Sequence, residues 1–308
     1  MISKGILAIP SSLPKLNPKW VGLAKWTVAI IFFVYAFRSG LISMVGSTVF
    51  DLRLLSIGIS LQFMIVFVQA LRWKSLNDSQ GIVLSLKDTF SIGMISHFFA
   101  LFAGGTMGSD VVRGLYLSHH TPTGRKLRPV VSILLDRGIG LTLMVVGAVF
   151  GLAMKHGVFS SELPIGKAAS LAAQWLPVFL FLFFLGLASA TYFFGRRAPW
   201  VALLSLITMT TSVLWAHEIG RSLQSTVGIF DFFFISQIVT VVSAIPFLPL
   251  GIGVGQIAYY HLFELVGAPG SQGASLCTIL QAQMVAFNLL GALFYVSKKK
   301  KTGINTPP

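Results

Sequence analysis

The chain contains few charged residues, and very few of these are acidic. Only 10% of its 308 residues are charged, whereas about a quarter of the residues in a soluble domain are charged. So few charges cannot cover a surface in water, which excludes a soluble globular protein. Nine residues are acidic, and this small number argues against an enzyme that works with a pair of carboxylates.

The chain also lacks the residue patterns of common disulfide, metal and nucleotide sites. Cys277 is the only cysteine, so the sequence predicts no internal disulfide and no cysteine-based metal site. The six histidines show no HExxH spacing. The run from Gly251 to Gly255 lacks the third glycine and the distant acid of a dinucleotide fingerprint. We therefore expect no metal, no cofactor and no catalytic residue.

Long apolar runs are the dominant feature of the sequence. Apolar residues make up 55% of the chain, and several runs reach the roughly 20 residues that a helix needs to cross a bilayer. The sequence predicts an all-α polytopic membrane protein, with a single membrane domain over residues 1–308 and basic tails at 1–19 and 297–308. About six full spans are expected, at residues 20–37, 54–71, 130–154, 171–194, 200–215 and 274–296.

Two further apolar stretches are interrupted by glycine and proline. Residues 86–117 are broken at 104–109, and residues 229–266 are broken at 246–255. Glycine and proline end one helix and allow another to begin, and each arm is short for a full crossing. We predict two re-entrant helical hairpins, each of which enters and leaves the membrane on the same side.

The positive charges indicate how the spans are oriented. The formal net charge is +14, and the basic residues cluster in the tails and the short connections. With re-entrant hairpins and a cytoplasmic N-terminus, the dense basic clusters all lie on the cytoplasmic face, as the positive-inside rule requires. Both termini are then cytoplasmic, and Arg72 and Lys74 follow the second span on that side. Anionic headgroups explain these charges, so we expect no nucleic-acid partner.

The order of spans and hairpins is the same in both halves of the chain. Residues 20–154 and residues 171–296 each read span, span, hairpin, span, and the two halves enter the membrane from opposite sides. This order predicts an inverted repeat. Broken segments at matching positions of two such halves are typical of transporters, whose binding site lies near the middle of the bilayer.

The tip of the first hairpin is the richest candidate site. Asp110, Arg113 and Tyr116 recur at i, i+3 and i+6 and so share one helix face. A helix N-terminus there offers free N–H groups to a phosphate or carboxylate, and Arg113 adds a bidentate clamp. Alternatively, Asp110 and Arg113 neutralise each other and only stabilise the hairpin. The candidates at this tip are Gly104, Gly105, Gly108, Asp110, Arg113 and Tyr116.

The span over residues 130–154 carries two adjacent charges, Asp136 and Arg137. Each costs about 2.5–3.5 kcal/mol at the centre of a span unless it is paired or hydrated. Adjacent residues point about 100° apart on a helix, so the two side chains need different partners. We predict that Asp136 pairs with Arg113 and Arg137 with Asp110, or that one arginine is left for a substrate. Alternatively, the Arg137 side chain extends to the cytoplasmic surface.

The second hairpin offers glycines and one amide at its tip. Gly251, Gly253 and Gly255 alternate just before Gln256, near the start of the returning helix. Polar residues of the last span, among them Gln281, face the interior of the bundle more often than lipid. Hydrogen bonds between helices are the ordinary explanation for them.

Three motifs occur along the chain in a specific order: Gly104-Gly-x-x-Gly-x-Asp110-x-x-Arg113-x-x-Tyr116, then Ser132-x-x-x-Asp136-Arg137-x-x-Gly140-Leu, then Pro249-x-Gly-x-Gly-x-Gly-Gln256. With them the chain resembles the flippase-like membrane domain of the lysylphosphatidylglycerol synthase transmembrane-region family. The resemblance implies a bacterial inner-membrane or archaeal plasma-membrane protein with re-entrant hairpins. It also implies movement of a lipid or lipid-linked molecule between leaflets.

The resemblance also shapes the functional expectation. Bifunctional family members carry a soluble aminoacyl-transferase domain after the membrane part, and we expect this chain to be a stand-alone member without it. Many relatives have glutamate where Gln256 stands, and this difference weakens any proposal that needs an acid at the tip of the second hairpin. The expected function is a translocator of an anionic lipid or lipid-linked headgroup, not an enzyme. The alternatives are a non-transporting partner of a lipid- or glycan-modifying enzyme, and an intramembrane transferase that uses Asp110 or Asp136. The oligomeric state is left open.

Overall fold

The structure is a computed structural model that describes residues 51–102, 105–121, 127–159, 164–194, 197–243 and 253–302. The first predicted span, at residues 20–37, lies outside these ranges. Gly104 and Gly251, two of the predicted site residues, lie outside them as well.

The described residues form ten α-helices and no strand, which confirms the predicted all-α fold. The helices are α1 (Leu52–Ser79), α2 (Leu86–Ala100), α3 (Thr106–His119), α4 (Arg128–Met154), α5 (Pro164–Phe194), α6 (Ala198–Ser222), α7 (Ile229–Ser243), α8 (Val254–Leu265), α9 (Gly270–Leu289) and α10 (Gly291–Thr302).

Five of the described helical segments are long and apolar enough to cross a membrane. They are α1, α4, α6, the part of α5 over Pro164–Gly186, and the continuous segment Gly270–Ser297 of α9 and α10. Each coincides with a predicted span. The helices extend further into polar sequence than the predicted spans because local caps define their ends. Asp51 accepts a hydrogen bond from the Arg53 N–H (2.9 Å) and so begins α1.

The two broken stretches form two pairs of short helices. Helices α2 and α3 contain 15 and 14 residues, and α7 and α8 contain 15 and 12. At 1.5 Å per residue none reaches the roughly 30 Å of a hydrocarbon core. Gly105, with φ 72°, precedes α3, and Gly253, with φ 88°, precedes α8. Both φ values favour glycine, so the sequence correctly located where the returning helices begin.

Several helix contacts join the first half of the chain to the second half. Helix α1 packs along α6, α4 packs against α7, and α9 and α10 pack against α2. The largest buried cluster lies under α7 and α8 and contains Phe232, Phe234 and Phe263. A smaller cluster under α2 and α3 contains Ile92 and Leu117. Each helix pair is therefore supported by its own apolar core.

The last span supports both helix pairs through glycines. A Cβ added at Gly291 would lie 2.1 Å from the Met94 carbonyl oxygen of α2. A Cβ added at Gly273 would lie 2.5 Å from the Tyr259 carbonyl oxygen of α8. Glycine at these positions allows the helix backbones to approach each other closely, as small residues do in membrane helix interfaces.

Replacement of Gly291 by alanine should therefore destabilise the protein. The added Cβ meets a backbone atom, which cannot rotate away, and overpacking of this kind costs about 1–3 kcal/mol. Gly186→Ala is the matched control, because a Cβ there meets nothing within 4 Å. The measurement is the unfolding of detergent-purified variants by heat or denaturant. Equal stability of the two variants would contradict the close approach of α10 to α2.

Candidate functional site

A cluster of buried charges lies where five helices meet. Arg72 comes from α1, Arg113 from α3 and Asp136 from α4. All three are buried, with relative exposures of 8%, 7% and 7%. Ser96 of α2 and Ser205 of α6 complete the cluster, so that it joins parts of the chain that are far apart in sequence.

Asp136 binds both arginines. Its Oδ1 accepts a hydrogen bond from Arg72 Nε at 3.0 Å and lies 2.9 Å from Arg72 Nη2. Its Oδ2 accepts from Arg113 Nη1 at 3.2 Å. One carboxylate thus faces two guanidinium groups, and the buried cluster carries one positive charge in excess.

The two arginines have further partners. Arg113 Nε donates to Ser96 Oγ at 3.2 Å, and its guanidinium lies 4.9 Å from the centre of the Trp73 ring. At this distance a cation is attracted to the face of the indole. Arg72 Nη1 donates to Ser205 Oγ at 3.4 Å. These contacts fix the orientation of both guanidinium groups.

Asp110 and Arg137 form a second ion pair nearby. Arg137 Nε donates to Asp110 Oδ2 at 2.8 Å, and Arg137 Nη2 donates to Asp110 Oδ1 at 2.9 Å. Arg137 Nη2 also donates to the Thr106 carbonyl in the first turn of α3. The side chain of Arg137 is 42% exposed and that of Asp110 is 23% exposed. The pair therefore connects α4 to the tip of the first helix pair at a partly exposed position.

Both predicted pairings, Asp136 with Arg113 and Arg137 with Asp110, are confirmed. The two members of α3, Asp110 and Arg113, pair with different partners, so they do not neutralise each other. Tyr116 takes part in neither ion pair and packs against the small apolar cluster under α2 and α3. Gly105 immediately precedes α3 and Gly108 lies in its first turn, before Asp110.

Sequence reasoning missed Arg72. The predicted span ended at residue 71, and this placed Arg72 in a cytoplasmic connection. The structure corrects this placement, because α1 continues for about two more turns to Ser79. Trp73 and Leu76, which are buried at helical spacing in that extension, were the available signal.

The tip of the second helix pair is held by neutral groups. Gln256 Oε1 accepts from the Gly253 N–H at 2.7 Å, and Gln256 Nε2 donates to Gln281 Oε1 of α9 at 2.6 Å. A Cβ added at Gly255 would lie 2.9 Å from the Sγ of Cys277. Among the described residues, the hydrogen bonds of this tip join α8 to α9 and none of them involves Arg72, Arg113 or Asp136.

Five apolar membrane-crossing segments around a buried, ion-paired centre define an α-helical multi-pass membrane protein. The chain belongs to a family described as the lysylphosphatidylglycerol synthase TM region, whose model matches residues 19–292. This match confirms the resemblance carried by the three motifs and relates the protein to lipid modification or lipid flipping. No curated protein matches the chain, and no solved structure matches it.

The cluster predicts a clear order of stabilities for aspartate variants. Asp136→Asn leaves two buried arginines without a counter-charge, and removal of one partner of a buried pair costs about 3–5 kcal/mol. Asp110→Asn breaks a partly exposed pair, for which the cost is about 0–1 kcal/mol. The measurement is the free energy of unfolding of each purified variant. A loss at Asp136 no larger than that at Asp110 would contradict the assignment of Asp136 as the centre of the cluster.

Proposed function

We propose that the protein moves an anionic lipid, or the anionic headgroup of a lipid-linked molecule, from one leaflet to the other. In this proposal it is a translocator and not an enzyme. The observation that carries the proposal is the excess of arginine over aspartate in the buried cluster of Arg72, Arg113 and Asp136.

An unbalanced positive charge inside a membrane protein is costly. On the insertion scale an arginine costs about 2.5–3.5 kcal/mol at the centre of a span. Asp136 is the carboxylate that both Arg72 and Arg113 contact, and it balances only one of them. An anion beside Arg113 would balance the other. The phosphate of an anionic lipid is the anion that the bilayer itself supplies.

The hydrogen bonds of Asp110 and Asp136 favour transport over group transfer. An intramembrane transferase would need Asp110 or Asp136 as an acid or a base. Asp136 accepts hydrogen bonds from two arginines on its two oxygens, and Asp110 is held by Arg137 on both oxygens. All four carboxylate oxygens therefore contact an arginine side chain, so neither aspartate offers an oxygen without a partner to a reacting proton.

The proposal includes re-entrant helix pairs and an inverted repeat. The short arms of α2–α3 and α7–α8 support re-entry, since none is long enough to cross alone. The reciprocal packing supports the repeat: α1 packs along its counterpart α6, and the span after each pair packs against the first arm of the other pair. Rocking of two such halves about a central site would give alternating access.

The proposed orientation places the cluster closer to the cytoplasmic face. Arg72 lies about two turns before the end of α1, and Asp136 lies about two turns after the start of α4. These two helix ends are joined, because Ser132 Oγ donates to Asn77 Oδ1 at 2.5 Å. With both termini cytoplasmic, in a bacterial inner membrane, a headgroup would reach Arg113 from the cytoplasmic leaflet.

Arg113→Ala should abolish headgroup movement while the protein remains folded. Asp136 keeps Arg72 as a partner in this variant, so no carboxylate is left unpaired. The measurement is the movement of a fluorescent anionic lipid across liposomes that contain purified protein. Arg221→Ala is the control, because Arg221 pairs with Glu218 in the last turn of α6, outside the cluster.

Unchanged lipid movement in the Arg113→Ala variant would reject the role of this residue. If the wild-type protein moves no lipid but is purified together with a lipid- or glycan-modifying enzyme, translocation is rejected and a partner function takes its place.

A further inference from the structure

A small pocket lies beside the arginine cluster, between α1 and the first helix pair. Its polar lining consists of Gln69 and Trp73 from α1, His97 from α2 and Arg113 from α3. Val66 and Phe90 form apolar walls. The pocket is partly open and has a cavity volume of about 10 Å³, which is about the room that one water-sized group needs. Of its lining residues, only Arg113 was singled out by the sequence.

Several polar groups of this pocket have no hydrogen-bond partner among the described residues. The indole N–H of Trp73 is buried without an acceptor, in a residue that is only 2% exposed. Gln69 and His97 make no hydrogen bond to the described part of the chain. Arg113 uses Nε and Nη1 for Ser96 and Asp136, which leaves some of its five N–H groups without an acceptor. Buried polar groups are nearly always paired, so the buried Trp73 N–H beside Arg113 needs an acceptor, whereas Gln69 and His97 are only partly buried.

The charge of the pocket indicates which ligand would pair with these groups. No carboxylate is among its described lining residues. The nearest acidic group in contact with Arg113 is Asp136, whose two oxygens already accept from arginines. The pocket therefore offers a guanidinium, an indole N–H and a carboxamide, and no negative group. Such a set of donors binds an oxyanion and repels a cation.

We propose that this pocket binds the phosphate group of a lipid whose headgroup carries no positive charge. The inference rests on the proposed function and specifies the ligand and its binding residues. One phosphate oxygen enters the pocket and accepts from Arg113 and Trp73, while the rest of the phosphate lies at the mouth beside Gln69 and His97. The rest of the headgroup and the acyl chains remain outside, since the pocket has room for about one oxygen atom.

Arg113 links this pocket to the ion cluster. The same guanidinium contacts Asp136 on one side and lines the pocket on the other. A phosphate in the pocket supplies the negative charge that the cluster lacks. Binding should therefore be selective for net anionic lipids, because a cationic headgroup would bring its own positive charge next to an already positive centre.

Binding to the full-length protein in an uncharged detergent tests the ligand class. The probes are dioctanoyl phosphatidylglycerol, dioctanoyl phosphatidylcholine, dioctanoylglycerol and inorganic phosphate, with dissociation constants measured by calorimetry. We expect phosphatidylglycerol to bind at least about tenfold more tightly than each other probe. Equal binding of phosphatidylcholine or dioctanoylglycerol would overturn the charge selectivity. Equal or tighter binding of inorganic phosphate would show that the ligand is free phosphate and not a lipid.

A pair of tryptophan variants tests the binding residues. Trp73→Phe keeps an aromatic ring under Arg113 but removes the unpartnered N–H, so binding should weaken about tenfold without loss of thermal stability. Trp215→Phe is the matched control. The Trp215 Nε1 donates to Gln283 Oε1 at 2.9 Å, away from the pocket, so this variant should lose thermal stability and keep its lipid affinity. Gln69→Leu should weaken binding as Trp73→Phe does.

The same variants in the liposome assay separate this inference from the proposed function. If the wild-type protein moves lipid and both pocket variants bind phosphatidylglycerol as it does, the pocket is not the binding site and translocation stands. If the wild-type protein binds phosphatidylglycerol with the expected selectivity but moves no lipid, translocation is rejected and the binding site stands.

Discussion

The carboxylate of Asp136 is the contact on which the arrangement of the first half depends. It binds Arg72 of α1 and Arg113 of α3 from its own position on α4. An unpaired guanidinium in apolar surroundings costs several kcal/mol of stability. The three helices must therefore keep the positions in which both arginines contact Asp136. The serines on α2 and α6 extend the constraint to five helices. The Asp136 side chain thus determines the position and orientation of the tip of the first helix pair.

The two helix pairs are alike in backbone and different in chemistry. Each returning helix begins after a glycine with positive φ. The first tip is held by ion pairs, whereas the second is held by Gln256, which accepts a hydrogen bond from the Gly253 N–H and donates one to Gln281. Under the proposed function, the preference for an anionic ligand should therefore reside in the first half, because the described tip of the second pair carries no charged group.

Local sequence rules were sufficient for the helices and for part of the site. The positions of the glycines in the sequence predicted that helices begin near residues 105 and 253. The 100° angle between adjacent helical residues predicted that Asp136 and Arg137 have different partners. The same rules missed Arg72: the helical spacing of Trp73 and Leu76 indicated that the helix continued, but the partners that bury Arg72 include α6, which is more than 100 residues away. The Trp73 and His97 lining of the pocket was missed for the same reason. Which faces of distant helices meet is decided by packing, and no short pattern records it.

The glycines of the last span have a mechanical consequence. At Gly291 the Met94 carbonyl oxygen and the Phe98 Cβ fill the space that a side chain would take, and at Gly273 the Tyr259 carbonyl oxygen and the Phe263 ring do so. A helix seated in such a recess resists axial movement, because a shift would bring these atoms against the larger residues on either side of the glycine. The last span should therefore stay in register with both α2 and α8, and any displacement between these helices should require repacking.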